Sequence, residues 1–526
     1  MYRQVVTLRK AVTLALGLRA LIASGTGPAG AVVTARAVRQ SGGMTSAAGP
    51  PVIAIIGGGI AGLAVAFFLR ESGAAVTVLE GAPRLGGKLS VSQIAGIAVD
   101  EGAEALLARR PEGIELIGAA GLGGQLVPAG TAAAGIWTRG QLRALPQRQF
   151  FGVPADLDEL GRTQILSAGG LARARAEAEL PALARTADVS VAELVSARFG
   201  PEVVNRLVDP LLGGVYAGRS EDLSFEATLP DLARAARQHP TLGAAARSLL
   251  PESAAPSGSV PAPAFTTLAG GLGTLPAAVA AAAGAVMRTG AMVRRLARAA
   301  GRWELTIGPA NSPERLSADA VILALPARPA SRLLAGVSPV AAAALGEIGY
   351  ASMAIVTLAY PRAAFAAQPP GSGYLVPAVD RRAVKAVTFS TSKWPHLLAA
   401  AGQRLVIARC SIGRMGEDSV LQRDDADLAA LAAADLAAAT GVRGEPAATR
   451  VTRWGGGLPQ YTVGHLDRVA RIRSELAAQP GLAGCGAAYD GIGIPACIAS
   501  ARLAADQVAA YLRSRPEQVT AGEARA

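Results

Sequence analysis

Cysteine and histidine are nearly missing from this chain, with three of each in 526 residues. Cys410, Cys485 and Cys497 show no CxxC or paired spacing, which excludes a disulfide framework and leaves them as small buried hydrophobes of a reducing compartment. His239, His396 and His465 are equally scattered, so no metal site follows. Aromatic residues make up only 4% of the chain. No basic run is interleaved with them, and this argues against nucleic acid as a partner. No apolar run reaches the roughly 20 uninterrupted residues of a membrane span.

What is present is bulk apolar material, 51% of residues, enough for a large core. At roughly 150 residues per domain, the length predicts two or three domains. Glycine, at 62 residues, is well above its usual share of about 7%. Such an excess suits tight turns and close backbone approaches to a ligand. The abundant alanine fits a GC-rich coding sequence. Half of the net charge of +12 sits in residues 1–43, on Arg3, Arg9, Lys10, Arg19, Arg36 and Arg39, with no acid among them. The remaining body is mildly basic and compatible with an anionic small molecule. The leader has a basic start and an apolar stretch from Ala11 to Ala23, broken by Arg19, without a small-x-small cleavage site. Met44 stands just before the first strand and is the expected start of translation. Residues 1–49 are therefore set apart as a leader.

Val52-Ile53-Ala54-Ile55-Ile56 is a β-branched run, the pattern of a strand buried on both faces. It enters Gly57-Gly58-Gly59-Ile60-Ala61-Gly62, a GxGxxG turn. A helix is predicted from about Leu63 to Glu71, and a second strand from Ala75 to Leu79 ends on Glu80. Gly57 permits the tight turn, Gly59 a close backbone approach to a pyrophosphate, and Gly62 close helix–strand packing. The helix N-terminus offers unpaired N–H groups to the phosphates. Glu80, eighteen residues after Gly62, is placed to accept from a ribose hydroxyl. Together they predict an α/β fold built on a Rossmann-like dinucleotide site.

Ala82-Pro83-Arg84-Leu85-Gly86-Gly87-Lys88 follows the acid directly. This resembles the extended fingerprint of the FAD superfamily of amine oxidases and carotenoid desaturases. The resemblance implies that chain ends close one site. Leu482 to Pro495 and the helix predicted from about Ala496 to Leu512 supply the second end, with Pro495 suited to a first helical turn. Two middle segments also match: Phe265 to Pro276 followed by Met287 to Val293, read as a strand meeting the adenine, and Asp319 to Pro326, a strand returning to the flavin domain.

The resemblance then narrows to the protoporphyrinogen and coproporphyrinogen III oxidase family, from about residue 50 to 512. It rests on Pro210 to Gly218, Gly371 to Pro377, Lys393-Trp394-Pro395-His396, Arg409 to Arg414, and Arg453-Trp454 followed by Leu458 to His465. It implies a discontinuous FAD domain (50–105, 262–330 and 450–515), a mixed-sheet substrate domain (106–145 and 331–449) and a helical domain (150–250). The Pro/Ser/Ala-rich stretch from Leu250 to Ala264 reads as a linker and 516–526 as a disordered tail.

For the cofactor the resemblance implies noncovalent FAD. Its ligands would be Gly57, Gly58, Gly59, Ile60, Ala61 and Gly62; Glu80, Gly81, Arg84, Gly87 and Lys88; Gly102, Ala103, Glu104 and Ala105; Val293 and Trp454; and Gly486, Gly493 and Ile494. The family usually carries Pro and Asp where this chain has Ala103 and Glu104. Arg109 and Arg110 are candidates for substrate carboxylates, since Arg pairs with them bidentately. They also fit a solvated basic surface. Gly373 and Leu375 are candidates for the pocket wall. No acid–base residue stands out, because the flavin carries the redox chemistry.

The implied partners are a tetrapyrrole, O2 and other haem-pathway enzymes. The implied location is the cytoplasm, with peripheral membrane association. Tyr374 and the spacing favour the soluble, coproporphyrinogen-oxidising branch. Protoporphyrinogen oxidation, another flavin oxidoreductase of the same fold, and a flavin protein without turnover remain open alternatives.

Overall fold

A computed structural model describes residues 49–183, 187–251 and 263–515. The leader up to residue 48, most of the expected linker and the tail from 516 lie outside those residues. At the centre runs Val52–Ile56, almost wholly buried. Ala75–Leu79 pairs parallel on one side and Ala320–Leu323 on the other. Val286–Arg288 and Leu482–Gly484 complete a five-stranded parallel sheet. Parallel strands need long crossovers and cover on both faces. One face carries the helices Ile60–Phe68, Leu275–Ala283 and Ile494–Ser514, packed over Ile53, Ile55, Val76 and Ile322. The other carries helices Ala327–Leu334, Pro339–Gly346 and His465–Ala477, with Trp303 and Leu305 from a three-stranded antiparallel sheet. This is the α/β, Rossmann-like core that the sequence predicts.

Two further bodies hang from this sheet. A seven-stranded mixed sheet runs in the order Ala448–Pro459, Tyr350–Pro361, Leu405–Ile412, Val384–Phe389, Gly373–Leu375, Gly135–Thr138, Gln141–Ala144. Helix Asp425–Thr440 covers one of its faces through Leu428, Ala432 and Leu436. Short helices between Leu157 and Ser248 form the second body, around Phe199, Leu207, Leu212 and Leu232. Among the described residues, no helix is long and apolar enough to cross a membrane.

Two local expectations shift. The first helix begins at Ile60, because Gly59, in extended backbone, acts as its N-cap, and it ends at Phe68. The strand expected from Met287 to Val293 is broken. Gly290 turns the chain at φ +65°, and the N–H groups of Gly290 and Ala291 donate to Ala82 O and Glu80 O. Val293 therefore starts a strand of the antiparallel sheet instead.

The three fingerprint glycines have separate physical duties. Gly57 sits at φ +111°, with Ala324 O filling the place of its side chain. A Cβ on Gly62 would overlap the Gly57 carbonyl oxygen, whereas one on Gly59 would meet nothing within 4 Å. Gly62→Ala must therefore part helix from strand. We expect a loss of at least about 3 kcal/mol, read by urea unfolding.

Candidate active site

All five parallel strands point their C-terminal ends to one edge, where the loops after them gather. The helix Ile60–Phe68 starts there with no side-chain cap on its free N–H groups. Ile60 is half-buried and Ala61 buried at that end. A Cβ on Gly59 would meet nothing within 4 Å, one on Gly87 only the Gly59 Cα at 3.4 Å, and one on Gly486 only Ala61 Cβ at 3.9 Å. These three glycines, from segments far apart in sequence, leave an open edge lined by backbone.

Glu80 stands beside it. Its carboxylate accepts from the N–H groups of Gly58 and Ala82, each at 2.7 Å, which fixes the rotamer and leaves lone pairs free for hydroxyl donors. Gly81 is pressed against Met292, where a Cβ would lie 2.8 Å from Met292 Cε. The Arg84 guanidinium turns back onto the carbonyls of Leu85, Gly87 and Leu89 at 3.2, 2.8 and 3.2 Å. It braces the Gly-Gly turn, so the turn's backbone is what faces the edge. Lys88 makes no hydrogen bond or ion pair to a described residue, and burial lowers its pKa. An ammonium so placed is a ready partner for an anion.

From the far end of the chain, Ile494–Ser514 brings a second uncapped N-terminus, with Gly493 exposed at its N-cap and Pro495 in its first turn. The loop before it is tied by residues to which the sequence reading gave no role. The Tyr461 hydroxyl donates to Ala487 O (2.7 Å) and accepts from Gly491 N–H (2.8 Å). His465 stacks on Tyr461 at 3.9 Å, and burial pushes its pKa down to about 4, so it is neutral near pH 7. Ser500 Oγ accepts from Gly486 N–H.

The loop Glu101–Ala105 crosses in front. A Cβ on Gly102 would overlap Lys88 O and lie 3.2 Å from the Trp454 ring. Trp454 Nε1 donates to Glu101 O at 3.0 Å. Glu104 is half-buried and paired with Arg409 and, at 3.0 Å, with Lys393; Ser390 Oγ donates to it at 3.3 Å. Arg409 also donates to Gly102 O at 2.7 Å. Burial alone would raise the Glu104 pKa, but the two cations outweigh it and bring it to about 2. Nearby Asp100 accepts from Leu272 and Gly273 N–H, yet burial still raises it to about 6. Lys393 and Arg409 were quoted from the sequence without a role. Ion pairs spanning 289 and 305 residues leave no local signal.

The candidate substrate residues divide. Arg110 is engaged by Glu112 at 2.6 Å, while Arg109 is exposed. Gly373 is buried at φ +149°, where a Cβ would overlap Val387 O, so the sheet itself demands glycine there. Leu375 is half-buried and meets Gly214 of helix Asp209–Tyr216.

Two uncapped helix starts, an open glycine edge, a braced acid and an unpaired lysine fit a dinucleotide carrying a diphosphate. The chain matches the family of flavin-containing amine oxidoreductases over residues 60–509. It belongs to that family. It is an FAD-dependent oxidoreductase on the family's porphyrinogen-oxidase branch. It is 37% identical over 470 residues to the coproporphyrinogen III oxidase of Mycobacterium bovis, covering 87% of this chain and 97% of that one. The coproporphyrinogen III oxidase of Bacillus subtilis is 30% identical, with 88% and 98% covered. A solved structure from Exiguobacterium sp. 255-15, assigned as a protoporphyrinogen oxidase, superposes with a TM-score of 0.77 at 29% identity, covering 89% of this chain and all of that one.

Two measurements test this geometry. Gly59→Ala puts a Cβ into the open edge with no protein atom within 4 Å, so the purified protein should hold flavin more weakly while the apo form stays within about 1 kcal/mol of wild type. For Glu104 the folded pKa is depressed, so its stabilisation is full above the unfolded value near 4.5 and is lost as pH falls toward 2. The stability gap between wild type and Glu104→Gln should therefore be about 3 kcal/mol at pH 7 and close between pH 4.5 and 2 in denaturant titrations.

Proposed function

We propose that this chain oxidises coproporphyrinogen III to coproporphyrin III in haem biosynthesis, with noncovalent FAD and O2 as the acceptor. The observation that carries the reading is end-to-end likeness to coproporphyrinogen III oxidases, joined to an edge whose donors suit a diphosphate. We read residues 50–105, 262–330 and 450–515 as the FAD-binding part, 106–145 and 331–449 as the substrate part, and 150–250 as the helical part.

Bound FAD supplies two-electron acceptance and reoxidation by O2, so three rounds remove six electrons and release three H2O2. The chain's own residues hold and orient. The uncapped helix at Ile60 and the Lys88 ammonium receive the diphosphate, and Glu80 receives ribose hydroxyls. Trp454 and the loop Gly102–Ala105 wall the ring. Burial raises the pKa of every thiol, to about 12 for Cys410 and about 11 for Cys497, and upward for Cys485. Protonated thiols are poor nucleophiles, which supports a noncovalent flavin.

Ile355, Ser411, Ala386 and Leu375 form a half-buried cross-strand row on the sheet face from which Arg409 reaches the loop. We read this row as the floor under the macrocycle. Arg109 is left to meet a propionate, since Arg110 is already paired.

The test is porphyrin fluorescence in air with coproporphyrinogen III and protoporphyrinogen IX in parallel. Faster turnover of the first, with three H2O2 per porphyrin, is the expected result. Faster turnover of the second would move the enzyme to the protoporphyrin step. H2O2 release with an amine and none with either porphyrinogen would return it to amine oxidation.

A further inference from the structure

Arg409 holds two points of the crossing loop at once. One arm of its guanidinium donates to Gly102 O and the other pairs with the Glu104 carboxylate, so residues i and i+2 of a short loop are drawn to one planar group. Lys393 and Ser390 Oγ secure the same carboxylate from the neighbouring helix Ser390–Lys393. The residue between, Ala103, is exposed, although both neighbours are anchored. All four anchoring groups are largely withdrawn from water, with side-chain exposures of 7% for Arg409, 12% for Glu104 and 14% for Lys393, and with Ser390 fully buried. The grip starts from strand Leu405–Ile412, the strand that also supplies Ser411 to the half-buried row.

We propose that Glu104, Arg409 and Lys393 form a positioning clamp, built from the substrate-side sheet, that fixes how the Gly102–Ala103 peptide stands against the flavin ring. This rests on the reading above that the loop walls the ring. The clamp does not touch reacting atoms; it acts through the loop backbone. A guanidinium suits the task because its fork engages carboxylate and carbonyl in a fixed geometry, which a point-charge ammonium does not reproduce.

Arg409→Lys separates positioning from charge. It keeps a cation beside Glu104 and loses the second arm to Gly102 O. With the holoprotein and no porphyrinogen, we expect flavin retained, a shifted and less resolved visible flavin band, and a changed flavin reduction potential. With substrate, kcat should fall roughly ten- to a hundredfold while KM changes much less. Glu104→Gln should give the same spectral change more strongly, and Glu104→Asp should recover part of it. If Glu104→Gln does not fold, Arg409→Lys and Glu104→Asp still decide the matter. A flavin band and potential identical to wild type in those variants, with only a lowered Tm, would reduce the cluster to a structural ion pair and overturn the clamp. Wild-type protein that binds no FAD would overturn the clamp and the proposed function together. Wild-type protein that binds FAD but leaves coproporphyrinogen untouched would overturn the substrate assignment alone, because the spectral comparison needs no substrate.

Discussion

Everything in this molecule hangs on the parallel pairing of Val52–Ile56 with a strand 267 residues further on, where Ile53 faces Ala320. Parallel neighbours cannot be joined by a tight turn, so every connection in the central sheet must leave at one edge and return at the other. The chain between Leu79 and Val286 contains the helical body, and that between Leu323 and Leu482 most of the seven-stranded sheet. Both excursions depart from strand C-termini, the edge where Gly57–Gly62 opens. That single constraint delivers both bodies to the phosphate-binding turn. It also explains how residues as distant as Trp454, Tyr461 and Gly486 come to stand near that turn.

The electrostatics follow from the same convergence. Burying Lys393 and Arg409 between sheet and loop would leave two unmatched cations, which is costly without a partner. Glu104 supplies one counter-charge, which its depressed pKa keeps ionised throughout the neutral range, and Asp100 stands close enough to feel Arg409 as well. Asp100, two residues before Gly102, is held by backbone N–H groups and titrates much higher, so one short segment contains an acid fixed in its charged form and another close to neutralisation. Acid placement, more than acid type, decides which is which.

Much of the fold and of the phosphate end was legible in the sequence because their determinants are local. The β-branched run, the GxGxxG spacing and the acid at Glu80 each fall within one βαβ unit, and glycine needs no partner to declare a turn. The site's other half was legible only as matching blocks. Arg409 and Lys393 meet Glu104 across roughly 300 residues, and no spacing encodes that. Tyr461 and His465 tie the flavin-side loop through contacts with Ala487, Gly491 and Tyr489, again non-local. Gly373 shows the opposite hazard. A glycine in a resembling motif invites a pocket reading, and here the clash of a Cβ with Val387 O gives the sheet its own reason for glycine.

The unpaired cation tells more about chemistry than the paired ones. Beside the crossing loop the two cations Lys393 and Arg409 share one carboxylate, Glu104, with Asp100 close by, while Lys88 on the glycine turn makes no ion pair with a described residue. Uncompensated positive charge therefore stands at the glycine turn, whereas the anchors of the crossing loop are balanced by two acids, Glu104 and Asp100. On the proposed reading the loop would meet the macrocycle through shape and apolar contact, and carboxylate recognition would fall to exposed groups such as Arg109. On that reading, anion binding and electron transfer would fall to opposite ends of one cleft, divided by where Glu104 and Asp100 stand.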